Sequence, residues 1–426
     1  FPSSRKASLL KVYEITSTSS STELYMEAVN NVKVLGGVEY APEYTPLYTP
    51  NDYTGGGGDY ALDLINAENA WNITHGSDTV IIGVSDQNFT VSHEELLGKV
   101  TYYDSNNTAL TTHGTSVAII AAGNTDNATG TSSIGFDSKL ALYRMTYNDL
   151  LDATYAGIKI LNLSWTSGCT YSQYAQDIIN EIYYNGTFII ASAGNGSTCG
   201  GASNHVYPAS FDNVFSVTSI GYQDNHEKSV GDPNSTHQHN NMVDLCAPGY
   251  DVKVLPDHNW ELYSSGTSFA APFVSGTVGL MLSVNPCLNN EDIELILKST
   301  AVNVDGLNSS YAGELGAGRL DAYEAVLMAS QFDKLVIDGS AQIACSPFGG
   351  AINIIGSAGI APYSADWSNG LTGMSISGLS SGNYTVLLTD SHGCFADSTF
   401  FVDAATPLTT TSVIADVTCA GMNDGS

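Results

Sequence analysis

The chain has 426 residues, 43% of them hydrophobic, with 13 Lys plus Arg against 43 Asp plus Glu and a formal charge of −30. That length leaves room for two or three domains, and that apolar fraction supports a large core rather than a disordered chain. The lack of a basic footprint excludes a nucleic-acid partner and argues against docking on anionic membrane. So acidic a chain suits a secreted protein that must stay soluble, including in salt. No uninterrupted apolar run reaches the ~18 residues of a bilayer span, so no membrane span is expected. The chain opens at Phe1 without a signal peptide, which reads as a cut or incomplete N-terminus.

Residues 8–46 are predicted as strand, helix and strand, through "SLLKVYEI", "STELYMEAVNNV" and "VKVLGGVEYAPEYTP". Gly55 to Gly58 is too flexible to hold an element and reads as part of a linker. A phosphate-binding loop is the other reading of those glycines, but no Lys-Ser/Thr follows them.

From Ala61 to Met328, short apolar runs alternate with helical stretches. "TVIIGVSD", "KLALYRM", "IKILNLSW", "TFIIASAGN", "VFSVTSI" and "MVDLCAPG" are predicted strands. Unbroken Val/Ile/Leu strands alternating with helices imply an α/β fold, a mostly parallel sheet covered on both faces. Function then belongs at the carboxyl ends of the strands. Asp86 ends the first of them, Asn162 and Ser164 lie on another, and Asn195 ends a third. After Ser330 the pattern becomes short strands and Gly/Ser/Asn turns, which predicts a small all-β, Ig-like sandwich. "VIADVTCAGMNDGS" then echoes "VIDGSAQIACSPFGGA", so Cys345 and Cys419 mark equivalent places in two copies of a repeat, the second of them cut short.

"YSSGTSFAAPFVSGTVGLML", Tyr263 to Leu282, carries no charge. From Phe269 to Leu282 it reads as a helix buried all round and too short to span a bilayer. Pro272 is expected in its first turn, so the helix should begin near Ser268. A hydroxyl there sits among unpaired backbone N–H groups at the positive end of the helix. It is either a plain N-cap or a nucleophile beside a ready-made oxyanion site. His113, in "LTTHGTSVAIIAAG", and Asp86, in "VIIGVSDQNFTVSHEEL", each have ordinary structural readings when taken singly. Together they supply what a serine nucleophile needs: an imidazole base near neutrality, and a carboxylate that fixes its tautomer. Asn195, in "IIASAGNGS", adds an amide donor where an oxyanion would form.

On these residues the sequence resembles the subtilisin-like serine proteases. The Asp86, His113, Ser268 order is that family's order. "THGTSVA" is similar to its His-Gly-Thr motif. "SSGTSFAAPFVSG" is similar to its Gly-Thr-Ser-Met-Ala-x-Pro motif, with Phe269 in place of Met. "SDQNFTVSHEEL", "ILNLSW", "ASAGN", "VDLCAPG" and "GAGRLDAYEAV" add to the likeness, which covers about residues 59–328. The resemblance implies a three-layer subtilisin-like catalytic domain over 59–330. It implies an Asp86/His113/Ser268 triad with Asn195 in the oxyanion hole, and Ser164, Trp165, Thr166, Ala193 and Gly194 beside the substrate. Residues 1–46 resemble the end of an inhibitory propeptide, with 47–58 as linker. The family's Asp-Thr-Gly is Asp86-Gln87-Asn88 here, and Ser116 stands where a second His is common. Trp165-Thr166 replace Leu-Gly, which is expected to add bulk beside the cleft. His93 and Glu94 match a scaffold motif. The chemistry requires no cofactor. The family often binds structural calcium, for which the sequence assigns no ligands. His237 and His239 in "HQHN" could pair on a metal but read more readily as a solvated loop.

The tail resembles the SprB-like repeats of exported Bacteroidota proteins, through "APYSADWSNG" and "ISGLSSGNYTVLLTDSHGC". Residues 331–405 form one such repeat and 406–426 begin the next. The seven cysteines contain no CxxC pair and suit an oxidising compartment. One bridge is expected within the β-repeat, Cys345–Cys394, with Cys419 awaiting its partner in the next copy. Cys169–Cys199 should brace the two walls of the cleft, leaving Cys246 for Cys287. The expected protein is thus a secreted or surface-exposed serine endopeptidase acting as a monomer on protein or peptide substrates, with its own propeptide as inhibitor. A binding or surface-display protein on an inactive protease scaffold is the alternative. An esterase would need Gly-x-Ser-x-Gly and a different residue order.

Overall fold

The computed structural model describes residues 48–53, 59–105, 112–258, 260–332, 335–345, 349–359, 361–391, 394–405 and 411–413, the Cys345 side chain excepted. The strand, helix and strand expected over 8–46, the Gly55–Gly58 run and most of 406–426 lie outside these residues.

Seven parallel strands make the central sheet: β1 (Ile81–Ser85), β2 (Val100–Tyr103), β3 (Lys139–Tyr143), β4 (Ile160–Leu163), β5 (Phe188–Ser192), β6 (Phe215–Ile220) and β7 (Leu245–Pro248), in the order β2-β3-β1-β4-β5-β6-β7. Each of the six predicted runs became a strand because its Val, Ile, Leu and Phe side chains are buried on both faces. β2 was not predicted. It lies at the sheet's edge, only part-buried, so its "VTYY" lacks the apolar run of a central strand.

The helices divide between the two faces. α1 (Tyr60–Leu64), α2 (Ala67–Trp71), α3 (His113–Ala122), α6 (Thr267–Val284), α7 (Asn290–Ser299) and α8 (Ala322–Gln331) share one apolar cluster with Ile82, Leu140 and Ile160 of the sheet. α4 (Tyr147–Tyr155) and α5 (Gln173–Tyr184) cover the other face through Leu150, Ile178, Ile179 and Ile182, against Leu161 and Ile189. This is the three-layer subtilisin-like α/β fold.

α6 is the axis of the domain. It has 18 residues and begins at Thr267, with Gly266 at the N-cap and no side-chain cap. By length and a mean hydropathy of 1.4 it could cross a membrane, a reading the shorter sequence estimate did not anticipate. Its burial from Thr267 to Leu282 shows a core helix instead. Pro272 is its sixth residue, one turn later than expected. The missing Pro272 N–H would have bonded the Ser268 carbonyl, which accepts from Ser164 Oγ at 2.8 Å instead. Gly276 lets α6 lie against α3: a Cβ there would come within 2.3 Å of Ile134 Cγ2 and 2.5 Å of the Ala121 oxygen. An unpredicted hairpin, β8 (Val252–Asp257) and β9 (Trp260–Ser264), leads into α6.

The C-terminal module is two three-stranded antiparallel sheets. β10 (Val336–Cys345), β11 (Gly349–Ser357) and β13 (Ser375–Leu379) make one; β12 (Ser364–Trp367), β14 (Gly382–Thr389) and β15 (Phe395–Val402) make the other. Ile352, Ile354, Trp367, Ile376, Val386 and Leu388 fill the space between them, consistent with a β-sandwich.

Two of the expected disulfides are not formed. Cys394 is free. Ala344 bridges Ala404 beyond the end of β15, whereas Cys394 stands just before its start. At about 3.3 Å per residue, that strand separates Cys345 and Cys394 by far more than disulfide reach. Cys246 and Cys287 are free as well. Cys246 is buried within β7, near the Ser268 end of α6, and Cys287 follows the opposite end of that helix. The structure does join Cys169 to Cys199, with Cα atoms 5.3 Å apart.

Candidate active site

Asp86 directly follows β1 and is 1% exposed. His113 is the first residue of α3 and Ser268 the second of α6. The parallel sheet delivers the first, and two buried helix mouths the others, to one end of the domain. Gly114 permits the approach of α3: a Cβ there would lie 2.4 Å from the Asn88 oxygen and 2.9 Å from Asp86 Cβ.

Both Asp86 oxygens face His113 Nδ1, at 3.0 and 2.9 Å. Gln87 N–H donates to Asp86 Oδ1 at 2.7 Å, so the departure from Asp-Thr-Gly still holds the carboxylate. A carboxylate at Nδ1 makes that nitrogen the N–H and leaves Nε2 as the base. Burial of the ring depresses its basicity, but the Asp86 hydrogen bond and charge together outweigh it, and His113 titrates above the ordinary imidazole range. The His113 ring packs against Phe269, the neighbour of Ser268, with centroids 5.6 Å apart. Ser268 is 9% exposed, and its hydroxyl makes a long contact of 3.4 Å to the Ser164 carbonyl.

Asn195 is clamped by the start of α6. Its Oδ1 accepts from Thr267 N at 2.9 Å and from Thr267 Oγ1 at 3.0 Å. With the carbonyl end used twice, the NH₂ end is the one left to donate. Gly194, at φ +120°, donates its N–H to Thr267 Oγ1 at 3.0 Å. Ala193 N–H bonds the Val217 oxygen at 2.9 Å, fixing the segment to β6.

Ser164, Trp165 and Thr166 follow β4 directly, and their side chains point to scaffold partners. Ser164 Oγ accepts from Asn162 Nδ2 at 2.9 Å, whose Oδ1 accepts from Ser275 Oγ at 2.9 Å, so a buried polar chain ties β4 to α6. Trp165 Nε1 donates to Ser85 Oγ at 3.0 Å, and its ring packs edge-on against Tyr147 of α4. Thr166 Oγ1 donates to the Tyr207 oxygen at 3.0 Å. The bulk expected beside the cleft is thus directed largely at β1, α4 and the 207 turn. The Cys169–Cys199 bridge joins the segment after β4 to the one after Asn195.

Sequence reasoning passed over Gln238, which lies between the two histidines it weighed. Its buried amide accepts from Gly196 N at 2.7 Å and donates to the oxygens of Thr198 and Gly201 at 2.8 and 3.0 Å, holding the loop that follows Asn195. The histidines flanking it diverge. His237 Nδ1 meets Ser219 Oγ at 2.6 Å and His239 Nδ1 meets Glu314 at 2.6 Å. Among the described residues no group of three or more His, Cys, Asp or Glu is placed to hold a metal ion.

Residues 77–318 match the model of the subtilase family, Peptidase S8. The chain is 31% identical to the thermophilic serine proteinase of Bacillus sp. strain AK1, over 72% of this chain and 76% of that protein. It is 35% identical to a halolysin-like extracellular serine protease of Natrialba magadii, over 70% of this chain and 57% of that one. A solved protease from Pseudoalteromonas arctica shares the fold, with a TM-score of 0.55 and 22% identity over 62% of this chain and 94% of that structure. With the family model spanning more than half its length, the chain belongs to the subtilases, as a subtilisin-like serine protease.

Proposed function

We propose that the chain is a secreted serine endopeptidase in which Ser268 attacks the scissile carbonyl, His113 is the general base, Asp86 orients it, and Asn195 stabilises the oxyanion. The supporting observation is the two-oxygen grip of Asp86 on His113 Nδ1, which commits Nε2 to accept a proton. The Ser268 hydroxyl, held by only a long contact, turns to Nε2 when substrate displaces water. Its proton passes to His113 as Oγ bonds the carbonyl carbon. The negative oxygen forms beside the Asn195 NH₂ and the backbone N–H of Ser268 at the mouth of α6. The imidazolium gives its proton to the leaving amine, and water repeats the sequence on the acyl-enzyme. No cofactor takes part in this chemistry, and any calcium bound would be structural. Residues 1–46 act in this reading as inhibitory propeptide, and the β-module accompanies the exported enzyme. Extracellular action fits the composition, with its net charge of −30, and the extracellular relative of Natrialba magadii.

A fluorophosphonate probe followed by peptide mapping should label Ser268, and Ser268→Ala should lose both labelling and casein cleavage while keeping its circular dichroism. The residual rate expected of such a variant is roughly 10³–10⁴ over water. Cleavage by the variant at near wild-type rate would place the nucleophile elsewhere.

A further inference from the structure

Cys287 follows α6 in the catalytic domain, and Cys394 stands immediately before β15 in the C-terminal module. The thiol of Cys394 donates to the Cys287 carbonyl at 3.7 Å, so its sulfur lies against the Cys287 residue itself. Both cysteines are free and partly exposed. They border a groove of about 850 Å³, lined also by Tyr184, Asn185, Pro286 and Asn289, which gives a small reagent access.

Each cysteine is anchored to its own module. Cys287 N–H donates to Asn285 Oδ1 at 3.2 Å, and Asn285 Nδ2 donates to the oxygens of Ala329 and Phe332 at the end of α8. Cys394 N–H donates to Asp390 Oδ1 at 2.9 Å, and Asp390 N–H bonds the Cys394 oxygen at 2.8 Å. The two cysteines are therefore brought side by side by hydrogen-bonded backbone on both sides rather than by the chance swing of a loose chain.

We propose that Cys287 and Cys394 form a disulfide in an oxidising compartment, a redox-sensitive staple that ties the β-module to the catalytic domain across 107 positions of chain. The oxidant is a low-molecular-weight disulfide. The Cys287 thiolate attacks one of its sulfurs, giving a mixed disulfide and releasing one thiol. Cys394 then loses its proton and attacks the Cys287 sulfur, the protein S–S bond forms, and the second small thiol leaves. Two protein thiols are oxidised and one small disulfide is reduced to two thiols. Burial pushes Cys394 up to about 12, with the Cys287 contact and the Asp390 charge adding to the effect, so closure is slow near neutrality and speeds as pH rises. The staple is independent of the chemistry at Ser268.

The test uses the full chain carrying Ser268→Ala, so that self-digestion cannot confuse the result. The folded, reduced protein is incubated with oxidised glutathione, blocked with N-ethylmaleimide, and mapped without reduction. A Cys287–Cys394 peptide is expected, forming faster at pH 9 than at pH 7. It should be lost in Cys287→Ser and, independently, in Cys394→Ser. Trypsin should release the β-module several-fold more slowly from the oxidised protein than from either variant. Buried Cys246 serves as the internal control and should label only on unfolding. Recovery of both Cys287 and Cys394 as maleimide or glutathione adducts, or of Cys394 linked to Cys345, overturns the proposal.

Discussion

Asp86 shows how much one residue decides at this site. Its carboxylate makes His113 Nδ1 the donor and, against the effect of burial, carries the ring above its ordinary range. Asp86→Asn keeps the shape but can present an N–H where the imidazole needs an acceptor, so kcat should fall roughly 10⁴-fold. The proton-linked behaviour should change with it. In the parent, on the proposed mechanism, kcat/KM should fall as the pH drops through a value above the ordinary 6.5 of imidazole, because a protonated ring could not accept the Ser268 proton. Without the carboxylate only the burial effect remains, and that limb should move to lower pH. A limb that stays in place would mean that another group controls it. On the proposed mechanism Asn195→Ala removes one donor to the oxyanion and should cost roughly 10²–10³ in kcat with little change in KM, a magnitude measured within this same family. Equal losses in KM would assign Asn195 to ground-state binding instead.

At the scale of elements, α6 illustrates what the sequence disclosed and what it withheld. Its charge-free run identified a buried helix, and the Gly-Thr-Ser start placed Ser268 at its mouth. The displaced Pro272 was not legible, because Ser164, just past β4 and distant in sequence, takes the carbonyl that the proline leaves free. The same limit explains the disulfides. Cys169 and Cys199 were paired from neighbouring strands and do meet. The other pairings assumed that cysteines flanking a motif or a repeat are close, and α6 and β15 hold them apart instead. β2 and Gln238 were missed for a related reason: an edge strand and a single buried amide carry no periodic signal. Packing also fixes the sign of a glycine change. Gly276→Ala should gain about 1 kcal/mol of helix propensity. It also drives a methyl into Ile134 and the Ala121 carbonyl on the tightly packed α3 side, where overpacking costs about 1–3 kcal/mol. The backbone oxygen cannot rotate away, so a net fall of a few degrees in Tm is expected by scanning calorimetry, and a rise would show that α3 yields freely.

Across the whole molecule, the buried titratable groups set a pH window for stability that is separate from the activity profile. His226 is fully buried, donates to the Ser219 oxygen at 3.0 Å, and is pushed down to about 4 by burial. His237, at the Ser219 hydroxyl, is pushed down to about 3, again chiefly by burial. Each is lower in the fold than the ordinary 6.5, so the unfolded chain binds protons that the fold refuses. Their contribution is complete above about pH 6.5 and is lost as pH falls toward 4. Glu95 works in the opposite sense. Burial raises it from 4.5 to about 8, so its contribution is complete below 4.5 and is lost as pH rises toward 8. In calcium-free buffer the Ser268→Ala chain should therefore be most stable in the overlap between these limbs, near pH 6, and lose stability on both sides. Urea midpoints measured from pH 4 to 8 check this. His226→Gln should flatten the acid limb alone, because a neutral amide cannot take the proton, and Glu95→Gln should flatten the alkaline limb alone. If His226→Gln leaves the acid slope unchanged, protonation elsewhere drives acid unfolding, and His226 is a packing residue without a role in the pH response.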